Sequence, residues 1–152
     1  MIFPSVDIYT IQLMIAITHF VFLVVLFQLS NKNKDIQGIN WWLYASLLLT
    51  IDTSTTLFPG FRASPSISIL LNFMGILAYI FLMIGCFQFS NSKLNRLIPY
   101  GLGCLYIIFN LIDFIFSLGV MNRIYFIGSL ISITLALSIK AILKLENKFF
   151  IV

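Results

Sequence analysis

Two aspartates stand where acids are rare. Asp52 and Asp113 each fall inside a long apolar run, and an acid at the centre of a membrane helix is penalised by about 2.5–3.5 kcal/mol on insertion scales. Such groups usually face a bundle interior or a wet cavity, where they bind ions, relay protons or recognise a polar ligand. Asn72 and Asn110 lie in similar runs, and Thr50, Thr53, Ser54, Thr55 and Thr56 make the end of one run polar. Arg62 and Arg123 stand in the turns beyond. Asp52, Asn72, Asn110 and Asp113 therefore define a candidate polar pocket, with Arg62 or Arg123 near its mouth. The competing expectation is structural: the acids reach the headgroups or pair with those two arginines.

The remaining reactive side chains offer less. His19 is the single histidine, and a lone imidazole with no second ligand nearby makes a poor metal site. Near the middle of an apolar run it needs a partner, so a hydrogen bond to a neighbouring helix is the first expectation and a proton sensor the sharper one. Cys86 and Cys104 also sit in apolar runs and make no disulfide framework. The sequence has no Gly-rich phosphate loop, no HExxH and no CxxC pair. No catalytic activity, metal or cofactor is expected.

The elements that position these residues follow from composition. Of 152 residues 61% are hydrophobic and 9% charged, against about 45–50% and about 25% in a soluble domain. So few charges could not cover a water-facing surface, so the solvent for most of the chain is lipid. The net charge is +4, but the basic residues are scattered between apolar runs in no dense patch, which argues against nucleic acid.

Five apolar runs emerge, at 8–29, 39–58, 66–89, 97–118 and 124–143. Each has about 20–24 residues, enough to cross a hydrocarbon core about 30 Å thick as a helix. Barrel strands would be shorter and alternating. The fold class expected is an all-α polytopic transmembrane bundle of about five spans, forming one domain over 1–152. The joints fit: 30–38 and 90–96 are polar, and 59–65 holds two prolines and a glycine. Ser64 and Pro65 read as an N-cap and first helical residue. Pro99 lies early in the fourth run, where its missing N–H costs little. The stretch 119–123 carries the weakest break signal and is expected to be a tight hairpin. Gly75, Gly85, Gly101, Gly103 and Gly128 lie within spans and are expected to serve close packing.

Charge gives direction. Lys32, Lys34, Lys93, Arg96, Lys140, Lys144 and Lys148 flank one set of ends, and only Arg62 and Arg123 the other. Seven against two places the larger set in the cytoplasm. The N-terminus is then outside, the C-terminus inside, and both aspartates lie in the outer half, about one or two turns from the external face. No basic residue precedes the first run, so it reads as a retained span and not as a secretory signal. Trp41 and Trp42 open the second span at the cytoplasmic side and are expected to anchor in the headgroup region.

Certain residues recur in a familiar order. Asp7-x-x-Thr10 precedes the first span, and Gly38-Ile39-Asn40-Trp41-Trp42-Leu43 opens the second. Phe58-Pro59-Gly60-Phe61-Arg62 with Pro65 forms the turn, followed by Ser68-Ile69-Leu70-Leu71-Asn72, Tyr79, Gly85 and Phe89. From about Asp7 to Ser90 the chain resembles the multi-span N-terminal region of bacterial membrane-bound diguanylate cyclases that carry a GGDEF domain. The resemblance implies a sensory input module in the bacterial cytoplasmic (inner) membrane, a cytoplasmic signalling domain as partner, and a homodimer. The GGDEF signature itself does not occur here, so catalysis is not implied for this chain, which reads as truncated before an output domain or as a stand-alone relative. The alternatives are a small transporter or permease component, or a structural partner of another membrane protein. A transporter would favour a midplane site and repeated halves, neither of which the sequence displays.

Overall fold

The computed structural model describes residues 7–58, 60, 65–95, 97–116 and 120–149, excepting the side chains at 65, 66, 114, 120, 121, 123 and 144–149. Among the described residues the chain is all-α. Its elements are α1 (Ile8–Lys32), α2 (Ile39–Thr56), α3 (Pro65–Phe89), α4 (Leu97–Phe116) and α5 (Val120–Phe149). Three of them, at Ile8–Lys32, Ile67–Phe89 and Ile124–Leu143, are long and apolar enough to cross a membrane, which marks a multi-pass membrane protein. Leu97–Asp113 is apolar but shorter, and α2 ends in its Thr/Ser-rich turn.

Local chemistry sets the boundaries. The Asp7 carboxylate caps α1, accepting from the Tyr9 N–H at 3.3 Å, a group that otherwise lacks an intrahelical partner. Gly38 precedes α2 with φ 90°, a conformation open to glycine. Asn91 ends α3 at φ 49°. There the Ser92 N–H reaches the Phe87 carbonyl at 2.9 Å and the Asn91 N–H the Gln88 carbonyl at 3.0 Å, the paired bonds of a Schellman cap. Asn95 Oδ1 then accepts from the Leu97 N–H at 3.0 Å to open α4.

One joint differs from expectation. Helix α5 begins at Val120, so Asn122 and Arg123 are helical and not part of a hairpin turn, and it runs on to Phe149. Beyond Gly128 it meets no glycine or proline, and Ala, Leu, Lys and Glu in its last turns favour helix. Residues 117–119, Arg62 and Ser64 lie outside the described residues, as does the Arg123 side chain.

Helix α3 is the hub. It packs against α2, α4 and α5, whereas among the described residues α1 packs on α2 alone. Helices α2 and α3 run antiparallel in steady register: Trp42 meets Gly85, and Asp52, ten residues on, meets Gly75, ten residues back. On α5 the buried residues Leu130, Thr134, Ser138 and Ala141 form one face, mostly small, which lets helices approach closely in lipid. Phe109 of α4 stacks on Phe126 of α5 at 3.8 Å between centroids. The remaining surface is apolar: Phe20 is 57% exposed, Val21 55% and Phe27 57%. In water such faces would aggregate; in a bilayer they meet the solvent that suits them.

Hydroxyls inside these helices are largely satisfied by their own backbone. Thr50 donates to Ser46 O at 2.7 Å, Thr53 to Leu49 O at 2.7 Å and Thr56 to Thr53 O at 2.6 Å. Ser129, Ser132 and Ser138 do the same along α5. Back-bonding of this kind removes most of the cost of a hydroxyl in hydrocarbon, so the threonine-rich end of α2 is compatible with burial in a membrane.

Candidate functional site

The four residues expected to line the pocket are distributed over three helices, Asp52 on α2, Asn72 on α3 and Asn110 and Asp113 on α4. Asp52 lies on the α3-facing side of α2, its Oδ2 so close to Gly75 that a Cβ there would sit 3.5 Å away. Its charge also reaches the phenols of Tyr79 on α3 and Tyr106 on α4. The carboxylate therefore sits at the α2–α3 contact, at a distance from Gly75 that would leave a Cβ in ordinary van der Waals contact.

Helix α4 contributes a polar stripe. Tyr106, Asn110 and Asp113 are spaced by four and then three residues, so they share one face. Tyr106 is 2% exposed and Asp113 7%. The Tyr106 hydroxyl donates toward the Ile69 carbonyl at 3.4 Å, and its ring lies 5.9 Å from that of Phe73. Asn110 Nδ2 donates to the Tyr106 carbonyl at 2.8 Å. Asn72 is half-buried on α3, one turn from Gly75 on the same side. The two arginines of the expected pocket mouth fall outside the described side chains.

His19 belongs to a separate seam. Its Nδ1 lies 3.3 Å from Thr53 Oγ1, and that hydroxyl is also within donating distance of Leu49 O, at 2.7 Å. The Thr53 hydroxyl can either accept from His19 Nδ1 or donate to it, according to the imidazole tautomer. The imidazole thus ties α1 to α2 beside Asp52 in sequence but on another face. Among the described residues no three His, Cys, Asp or Glu gather as a metal site requires.

The two tryptophans part company. Trp41 sits half-buried with its ring 5.1 Å from Phe81 and 6.2 Å from Tyr44. Trp42 instead packs between helices. A Cβ on Gly85 would fall onto its Cδ1 and lie 2.5 Å from its Nε1, and a Cβ on Gly38 would strike the Gly85 carbonyl. The Trp42 ring also lies 5.2 Å from Phe89. Its buried Nε1 faces the Cys86 sulfur, a weak acceptor that Ser138 of α5 also approaches, without the geometry of a formal hydrogen bond. A wet N–H in the headgroups was the expectation for this residue; the side chain is half-buried, with its Nε1 enclosed.

Sequence reasoning passed over Tyr106 and gave Tyr79 no site role. The signal was present in the helical spacing of Tyr106, Asn110 and Asp113, but a tyrosine does not stand out in an apolar run as an aspartate does. Of the spanning glycines, Gly85 takes a neighbouring helix against its backbone and Gly75 meets the Asp52 head at ordinary contact distance, whereas Gly101, Gly103 and Gly128 face open space.

A carboxylate at a helix contact, in a medium of low dielectric, interacts strongly with any polar or cationic group that reaches it. The fold is that of an all-α protein with three helices long and apolar enough to cross a membrane. No protein-family model, curated protein or solved structure matches the chain.

Proposed function

We propose that this chain is a non-catalytic signal-input module of a bacterial cytoplasmic membrane, crossing it five times with the N-terminus outside and the C-terminus inside. The supporting observation is the Asp52 carboxylate, embedded in an apolar run and packed on Gly75 of α3. A group so costly to embed, placed at a helix contact, gives a stimulus something to bind. The opposite end of the same α2–α3 pair is the tight joint of Gly38, Trp42 and Gly85. Beyond it, Cys86 adjoins Ser138 of α5, the helix that leads toward the C-terminus. A stimulus that favours one position of α2 on α3 shifts the population of that joint, and α5 carries the change to a cytoplasmic partner such as a diguanylate cyclase.

The orientation has geometric support. The Gly38–Gly85 contact brings loops 33–38 and 90–95 to one end, and Ser138 beside Cys86 brings Lys140 to that same end. Lys32, Lys34, Lys93 and Lys140 therefore cluster at one face, the cytoplasmic one under the positive-inside rule.

The test joins the full chain to a diguanylate cyclase domain after Val152 and measures cyclic-di-GMP in cells. Asp52→Leu with Asp113→Leu changes the output if the acids set the input state. Unchanged output from an equally abundant, folded variant refutes the signalling reading. Flux of protons or cations through vesicles holding the purified chain would favour the transporter alternative.

A further inference from the structure

A groove of about 630 Å³ runs between α3 and α4 beside Trp41 of α2, lined by none of Asp52, Asn72, Asn110 and Asp113. That volume lies within the range of small-molecule sites. Its walls are apolar, but its two ends differ. At one end lie Gln88, Ser92 and Tyr100, and at the other Phe73 and Ile107. Lys93 is exposed on the loop between Ser92 and Leu94, both of which line the groove.

From this we infer that the groove is a binding site for one acyl chain of an anionic phospholipid, with the headgroup at Ser92 and Lys93. Length, polarity and charge all point to that occupant. Gln88 and Phe73 are fifteen residues apart on α3, which is about 22 Å of helix; one leaflet of a hydrocarbon core about 30 Å thick is about 15 Å deep, so the groove takes an entire chain. A groove left empty would forfeit the dispersion contacts of its lining. The polar end stands at the α3–α4 loop, where a headgroup belongs, and the Lys93 ammonium complements a phosphate in a leaflet rich in anionic lipid. Tyr100 offers a ring to the chain and a hydroxyl to the interface. A second apolar helix would complement the walls equally well but would give the polar, cationic mouth no counterpart.

Gly103 supplies the test. It lines the groove, and a Cβ there meets nothing within 4 Å, so the Gly103→Phe side chain leaves the backbone unobstructed and enters the groove volume. Gly101 is equally open but outside the lining, so Gly101→Phe is the matched control. The purified full chain is taken from nanodiscs of phosphatidylcholine with a phosphatidylglycerol fraction, and retained lipid is counted by native mass spectrometry. Wild type and Gly101→Phe are expected to retain one phosphatidylglycerol per chain. Gly103→Phe is expected to lose it about tenfold, as a ring in the occupied volume requires. Lys93→Gln is expected to abolish the preference over phosphatidylcholine.

Cys104 gives a reading on the unaltered chain. It lines the groove and is exposed, while Cys86 is buried. Its reaction with a maleimide is expected to slow in discs containing phosphatidylglycerol compared with phosphatidylcholine alone. Equal rates in the two discs, or equal retention by the two glycine variants, overturn the assignment. A wild-type dimer that Gly103→Phe converts to monomer also overturns it, since a second copy would then fill the groove. None of these outcomes bears on the Asp52 carboxylate, and the inference stands apart from the signalling reading.

Discussion

Gly85 is the residue on which most depends at the α2–α3 contact. Its missing side chain admits the Trp42 indole and the Gly38 carbonyl. Gly85→Ala forces backbone or indole to move, an overpacking cost of about 1–3 kcal/mol, and lowers the thermal midpoint in detergent. Gly101→Ala has open space and gains helix propensity instead, about 0.8–1.0 kcal/mol, so it holds or raises that midpoint. The His19–Thr53 bond is a second residue-scale prediction. A double-mutant cycle with His19→Phe and Thr53→Val should return a coupling of about 0.6 kcal/mol, the mean for membrane interhelical bonds. A coupling of zero would mean that the 3.3 Å contact contributes nothing. At this scale Asp52 and Asp113 were legible because an embedded acid is conspicuous in an apolar run. The Trp42–Gly85 contact was not, since it joins residues forty-three apart and no local pattern announces it.

At the scale of elements, hydropathy placed all five helices and left the ends to local chemistry. The start of α5 was misjudged because Gly119 and Asn122 read as a break, whereas the helix includes Asn122 and begins at Val120. Helix α2 is the instructive element. It is eighteen residues long and ends in Thr53-Ser54-Thr55-Thr56, yet its threonine hydroxyls bond to its own carbonyls and its flanks pack on α1 and α3. A helix shielded on two sides can cross a bilayer with less apolar surface than one facing lipid all round. Reporter fusions test this. A cytoplasm-active reporter joined after Lys34 and a periplasm-active one joined after Phe58 should both be active. Activity of the cytoplasmic reporter at both points would place α2 on one side of the membrane and reduce the number of spans.

For the whole molecule the account joins two ends. The Asp52 carboxylate occupies one half of the α2–α3 pair, and the half-buried Trp42 with Gly38, Gly85 and Cys86 occupies the other. The antiparallel register makes these two contacts parts of a single interface, so a change at one displaces the other unless α2 bends between them. Trp42 reports its own surroundings. The chain has two tryptophans, and Trp41→Phe leaves Trp42 as the sole indole. With that chain in nanodiscs, acrylamide quenching and emission maximum are compared with and without Asp52→Asn. The account predicts that neutralising Asp52 loosens the distant joint: Trp42 emission shifts and quenching rises. Superimposable spectra and equal quenching in a fully folded Asp52→Asn protein would show the two ends to be independent and would contradict the account.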